Sequence, residues 1–389
     1  MKGHKDVIIN ILMTPLRKKH EILEIASSSL TDLPAPINIS IWWNYGSLLS
    51  LFLMLQVITG ILLSIHYSSH TELAFKSLIH IRRDVNWGWA LHNIHINGAS
   101  IFILFIYIHM ARGIFYGSFN IAKTWNTGIM IFILAIVTAF IGYVLPWGQI
   151  RYWGATVITN IFSAIPYLGD ELVKWLWGRF TVANPTLNRF FIIHFILPFS
   201  MLLLITLHFI FLHSSGSSNP LGINSNSDRI SFHQYFRTKD IIGFILYITI
   251  FLLISILTPN YLNDPENFIE ADPLITPTHI QPEWYFLWLY AILRSIPNKL
   301  GGVVALLLAI FIIFTLPVIH PQYKLPSSYY PFSKLLFFFI IRAILILRWI
   351  GTCPVDSPFI IIGQLSRLLY FIYFLFAPYL LNIWNRLLI

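Results

Sequence analysis

Cysteine is almost absent from this chain: among 389 residues only Cys353 carries a thiol. One thiol forms no disulfide, ligates no iron–sulfur cluster and leaves no Cys-x-x-Cys-His attachment for a covalent haem. Charge is scarce as well, 11% of residues against roughly 25% in a soluble globular chain. With 57% hydrophobic residues and a mean hydropathy of +0.71, this is the composition of an integral membrane protein. There is no dinucleotide-binding glycine fingerprint, no soluble domain and no repeat of about 20–50 residues. The net charge of +9 does not mean nucleic acid, because the cations sit in short segments between apolar runs, where they set membrane orientation. The abundance of Ile, Phe, Asn and Tyr is consistent with an AT-rich, organellar coding genome.

Residues 1–30 hold Lys2, Lys5, Arg17, Lys18 and Lys19 but no apolar stretch of signal-peptide length, and read as an amphipathic surface arm. Eight apolar stretches of about 20 residues can cross the hydrocarbon core. They fall near 45–66 (α1), 89–111 (α2), 125–146 (α3), 189–212 (α4), 240–258 (α5), 300–319 (α6), 333–351 (α7) and 359–380 (α8). The expected fold class is therefore an all-α integral membrane protein with eight transmembrane helices. We divide it into a surface arm (1–44), a four-helix bundle with its loops (45–238) and a C-terminal four-helix region (239–389).

Basic residues orient the spans. The N-terminal arm, Arg112 and Lys123, Arg229, Arg237 and Lys239, Lys324 and Lys334, and Arg386 belong on one side, cytoplasmic or matrix. The long connections near 147–188 and 259–299 carry Asp170, Glu171, Asp264, Glu266, Glu270, Asp272 and Glu283, and belong on the other. Both are too long for simple turns. Their Trp and Pro content suggests short helices lying at the interface.

His95 and His109 on α2 are 14 residues apart, and so are His194 and His208 on α4. Fourteen helical residues return a side chain to within about 40° of its starting face and carry it about 21 Å along the axis. Each pair therefore stacks two imidazoles on one face, near opposite sides of the bilayer. With one span between them, α2 and α4 run parallel, so His95 is level with His194 and His109 with His208. Gly46 and Gly60 on α1, and Gly128 and Gly142 on α3, repeat the interval. On these antiparallel helices Gly60 and Gly142 fall at the outer level, Gly46 and Gly128 at the inner. Glycine leaves room for a flat ligand against the backbone. Imidazoles from two helices can hold a porphyrin iron on both faces, which favours electron transfer over oxygen chemistry. The first four helices thus read as a haem-binding bundle. Arg112 and Arg189 stand where they can pair with haem propionates or else snorkel to headgroups.

With those residues in place, the chain resembles cytochrome b of the ubiquinol–cytochrome c oxidoreductase, respiratory complex III, from about Asp32 onward. The matching segments are Leu33-Pro-Ala-Pro36, Trp42-Trp-Asn44, Arg83-Asp-Val-Asn86, Gly142-Tyr-Val-Leu-Pro-Trp-Gly-Gln149, Trp153-Gly-Ala-Thr-Val-Ile-Thr-Asn160, His194-Phe-Ile-Leu-Pro198, Pro282-Glu-Trp-Tyr285 and Arg294-Ser-Ile-Pro-Asn-Lys-Leu-Gly-Gly302. The uninterrupted eight spans and the interval in α4 resemble the mitochondrial form. The resemblance implies two non-covalent b haems, the lower-potential one between His95 and His194 and the higher-potential one between His109 and His208. It implies an outer quinol site at Pro282, Glu283, Trp284 and Tyr285, with Tyr143, Gly154 and Tyr290. The implied inner quinone site comprises His213, Lys239 and Asp240, with Ser47 and Ser217. Ubiquinol and ubiquinone would be the substrates, with a Rieske iron–sulfur protein and a cytochrome c1-type subunit as partners in a homodimeric complex. The membrane would be the mitochondrial inner membrane or, alternatively, a bacterial plasma membrane.

These roles make chemical sense. Partial burial of Glu283 would raise its pKa toward neutrality, suiting it to accept a quinol proton. Asp240 opens α5, where an acid also complements the helix dipole. His213 lies five residues beyond His208. The chain departs from the family at His92, where an arginine usually stands three residues before the first ligand. It departs also at Arg179, commonly glycine, and at Arg342, a mid-span cation that costs free energy unless paired. Arg151 follows Gln149 on the outer loop and receives no role. Rival readings are a transporter or proton channel with relay histidines, another kind of membrane b-haem protein, and a purely structural subunit. The first leaves the glycine spacing unexplained, the second needs a flavin or nicotinamide domain or other ligand spacing, and the third fails if haem is found.

Overall fold

Within a bilayer, a continuous apolar segment satisfies its backbone polar groups most simply by forming a helix. The computed structural model describes Pro15, residues 18–319 and residues 329–387. In it, eight helices are long and apolar enough to cross a membrane. They are α1 (Asn44–Ser64), α2 (Gly88–Phe115), α3 (Ala122–Val144), α4 (Asn184–Ser215), α5 (Phe232–Leu257), α6 (Lys299–Ile319), α7 (Pro331–Thr352) and α8 (Phe359–Leu387). Most run past the apolar segments because their polar ends stay helical at the interface; α4 begins five residues earlier than its apolar run, with Pro185 in its first turn. Their outward faces are apolar: Leu203 and Leu257 are each 71% exposed, which water would not tolerate over so large an area and lipid does. Lys2, Lys5, Arg17 and Lys324, used above for orientation, lie outside the described residues, as do residues 1–14 and 16–17 of the surface arm.

In the first four spans, α1 packs along α2 and α3 along α4, while contact between the two pairs is sparse. The space between the pairs holds two cavities. Leu48, Phe52, Ile103, Phe132 and Met201 are buried between them. They form an apolar layer midway along the helices. The fifth helix packs on α2 and α1. A second core gathers α6, α7 and α8 around a short helix, Leu287–Arg294, with Ile292, Ala309, Leu347 and Tyr370 at its centre.

Short helices do occupy the long outer connections: Gln149–Asn160 and Gly169–Trp177 between α3 and α4, and Leu287–Arg294 before α6. The two connections are tied together. Gln149 donates its backbone N–H to the Ile269 carbonyl at 3.0 Å, and Ala271 donates to the Trp147 carbonyl at 3.1 Å. The Gln149 side chain adds Nε2 to the Ile275 carbonyl at 2.6 Å and accepts from the Asp272 N–H at 2.7 Å. Gly148 is required at this crossing, because a Cβ there would stand 2.7 Å from the Asn267 carbonyl oxygen. Two features were not expected. An amphipathic helix, Ala74–Arg83, precedes α2. A three-residue antiparallel pair, β1 (Pro34–Pro36) with β2 (Arg229–Ser231), joins the chain before α1 to the chain before α5. Arg342 is exposed in mid-span, and none of the ion pairs among the described residues includes it.

Candidate functional site

His95 faces His194 across the first cavity with ring centres 6.4 Å apart, and His109 faces His208 across the second, also at 6.4 Å. An imidazole nitrogen lies about 1.2 Å from its ring centre and about 2.0–2.1 Å from a bound metal. Two axial rings on one metal therefore stand about 6.4 Å apart. Among the described residues no group of three or more metal-ligating side chains occurs, so each pair suits a metal whose remaining positions come from a macrocycle.

Hydrogen bonds orient the rings. His194 Nδ1 lies 2.9 Å from the Thr138 carbonyl, which can only accept, so Nδ1 carries the proton and Nε2 keeps its lone pair. The Thr59 hydroxyl donates to the Leu55 carbonyl at 2.7 Å, leaving its oxygen to accept from His95 Nδ1 at 2.8 Å. Thr127 serves His208 in the same way, at 3.2 Å. His109 differs, for the group near its Nδ1 is the Arg112 guanidinium at 3.4 Å, which can only donate. The buried Arg112 Nε has no hydrogen-bond partner among the described residues, although it lies against the inner cavity. An anionic propionate there would satisfy it.

The glycines sit at the levels the spacing implies, but what they make room for is the histidine ring itself. A Cβ at Gly60 would stand 3.2 Å from His95 Cε1, one at Gly128 3.2 Å from His208 Cε1, and one at Gly46 3.6 Å from His109 Cε1. A Cβ at Gly142 would overlap the His194 imidazole.

A small outer pocket adjoins the upper cavity. Tyr143, Gly154, Pro282, Glu283 and Tyr290 line it together with Phe140, Val157, Ile158, Ile280 and Phe286. The Asn267 amide donates to the Tyr143 hydroxyl at 3.1 Å, and Tyr290 donates to the Ile280 carbonyl at 3.2 Å. Burial pushes the Glu283 carboxyl up to about 7, against the opposing pull of the Arg151 charge. Trp284 turns away, its indole N–H reaching Ser100 at 3.4 Å beneath the Arg348 guanidinium. Tyr285 faces the upper cavity instead. The inner cavity is larger, about 540 Å³ against about 210 Å³ for the upper one. It takes in Ser47, His213, Ser217, Lys239 and Asp240 beside the lower histidine pair. Ser47 and Asp240 share a hydrogen bond. The Lys239 ammonium donates to the carbonyls of Ile39 and Ser40 at 2.7 and 3.0 Å, which ties α5 to the chain leading into α1.

The family model described as cytochrome b/b6/petB matches residues 30–216, and the one described as cytochrome b(C-terminal)/b6/petD matches residues 270–371. The chain belongs to the cytochrome b family. Among solved structures, a chain of "Hyperthermophilic respiratory Complex III" is similar at 29% identity with a TM-score of 0.87. The match covers 93% of this chain and 96% of that one.

Two arginines of this cytochrome b are placed otherwise than their sequence positions imply. Arg189 lies outside the upper cavity: it is exposed, donates to the carbonyls of Trp175 and Leu176, and stacks on Trp175. Arg151, given no role from sequence, lines that cavity and is only 4% exposed. The apolar lining from Val157 and Ile158 was also missed, though both share the i+3/i+4 face of Gly154 on a helix the loop composition did suggest. Asn267 carried no signal, because its role depends on two loops crossing.

Proposed function

We propose that this cytochrome b is the redox subunit of a quinol–cytochrome c reductase that oxidises quinol at the outer pocket and reduces quinone at the inner one. The observation that supports it best is the equal 6.4 Å spacing of two histidine pairs at two depths of one bundle. Non-covalent b haems, lower-potential at His95/His194 and higher-potential at His109/His208, would supply one-electron carriers at two levels of the membrane.

The chain's own groups handle substrate and protons. Quinol gives up two protons and two electrons, and Glu283, with a pKa near 7 in a mostly apolar pocket, is matched to accept one proton at neutral pH. Tyr143, fixed by Asn267, and Tyr290 border the same space. At the inner cavity His213 and Asp240 can donate hydrogen bonds or protons to a reduced quinone oxygen, with Ser47 holding Asp240. Lys239 fixes the wall behind them, and Ser217 completes it. Ubiquinol and ubiquinone are the proposed substrates. One electron of each quinol goes to an acceptor outside this chain, since a single cysteine builds no iron–sulfur cluster. A Rieske protein and a cytochrome c1-type subunit fill that role, in a homodimeric complex of the mitochondrial inner membrane.

Replacing His95 by alanine in the assembled complex should remove only the lower-potential haem spectrum, and replacing His109 only the higher-potential one. If either replacement left both spectral components in place, the ligand assignment would be wrong.

A further inference from the structure

We propose that Arg151 is the cation that binds a propionate of the outer haem in a chain that carries His92 where its family usually has an arginine. This rests on the haem reading above.

Three observations on different elements meet here. First, His92 faces the upper cavity and is buried, with its Nδ1 lacking a hydrogen-bond partner among the described residues. A short imidazole has replaced a long cation at that position. Second, Arg151, on the helix that follows α3, reaches into the same cavity. It is 4% exposed, and its Nε likewise has no partner among the described residues. Its guanidinium lies over the Tyr143 ring, 5.1 Å from the ring centre. Third, no ion pair among the described residues includes it. Glu283 is the carboxylate sharing its cavity, and with a pKa near 7 it is only partly ionised at neutral pH, so it offsets the guanidinium charge only in part. Arg82 lies close enough to repel Arg151, which holds the Arg82 guanidinium below its ordinary range after the larger effect of burial.

A buried guanidinium without a counter-ion is strongly unfavourable. An arginine fork donates two parallel hydrogen bonds to a carboxylate, and a propionate entering this cavity brings that group. The cation missing from α2 at His92 is thus supplied by Arg151 on the helix that follows α3.

The test is a potentiometric optical titration of the intact complex carrying Arg151→Gln, Arg151→Lys, or His92→Arg together with Arg151→Gln. Removing a cation beside a haem favours its more positive, oxidised form. Arg151→Gln should shift the outer haem's reduction equilibrium toward oxidised by about tenfold, roughly 59 mV for one electron, and leave the inner haem unchanged. Lysine should preserve most of the potential, and the double variant should restore it. Loss of the outer haem alone from Arg151→Gln, regained in the double variant, would equally support the proposal. Arg151→Gln with both haems bound and both potentials unchanged overturns it while leaving the haem reading intact. Should Arg151→Gln fail to assemble, the double variant decides: assembly with a normal outer potential supports the proposal, and renewed failure overturns it. An unmodified complex without two b haems would defeat the underlying reading instead.

Discussion

Glu283 and Gly142 show how much of this protein's chemistry rests on single side chains. The Glu283 carboxyl, raised to about 7 chiefly by burial, is mostly protonated below that pH and ionised above it. As a proton acceptor it works only when ionised, so the quinol-oxidation rate should rise with pH through about 7. Glu283→Gln should flatten that limb and lower the rate on the order of 10²-fold, as read from steady-state quinol oxidation across pH 5.5–8.5 (roughly the range around neutrality that such a base spans). Gly142→Ala drives a methyl group into the His194 ring and costs about 1–3 kcal/mol of overpacking. The reduced spectrum should then lose the outer haem while keeping the inner one. Gly154→Ala is the contrast. Its methyl group would meet no atom within 4 Å, so both haems should remain while quinol affinity falls because the pocket is narrower. The pairing of the four histidines was legible in the sequence because a helix converts a 14-residue interval into stacked side chains. Arg151 was not, because where the helix Gln149–Asn160 points its side chains depends on the crossing of two connections far apart in sequence.

At the scale of elements, the eight spans could be read from hydropathy to within a few residues at most ends, and the exceptions are informative. The fourth span begins earlier than its apolar stretch because Pro185 starts the helix at the interface, and α5 extends back through His233, Arg237 and Lys239. Interfacial helices in the long loops were legible only as a tendency. Helix Ala74–Arg83 was overlooked because ten amphipathic residues carry no spanning signal. The clamp between the two outer connections belongs to this scale. Gln149→Ala removes two side-chain hydrogen bonds, to Ile275 and from Asp272. It should cost about 1–3 kcal/mol for the backbone groups left unpaired. Hydrogen exchange should speed up across residues near 265–280, with the spanning helices unaffected; equal exchange in both proteins would show that the clamp is redundant.

For the whole molecule, the placement of charge at the ends of the spans predicts an orientation that can be tested. Arg112 and Lys123 flank the α2–α3 turn and Arg229, Arg237 and Lys239 the α4–α5 connection, whereas Asp170, Glu171, Asp264, Glu266, Glu270, Asp272 and Glu283 lie on the α3–α4 and α5–α6 connections beside Arg151, Lys174, Arg179 and Arg294. Protease added to the outer face of sealed vesicles should cut near Tyr167 or Leu274, both strongly exposed, and spare the segment around Asn224. The reverse pattern would invert the topology. The two depths of the bundle were foreseen from the doubled interval in α2 and α4; the apolar layer between them was not. The sparse packing between the α1–α2 and α3–α4 pairs, which leaves room for them, appears only in three dimensions. Arg342 remains an exposed mid-span cation that nothing in the structure explains.

The direct test is a haem count on the purified chain in its complex, by pyridine haemochrome absorbance against quantitative amino-acid analysis. Two stacked bis-histidine sites predict two non-covalent b haems per polypeptide, both low-spin when reduced. One haem per chain, or none, would contradict the account.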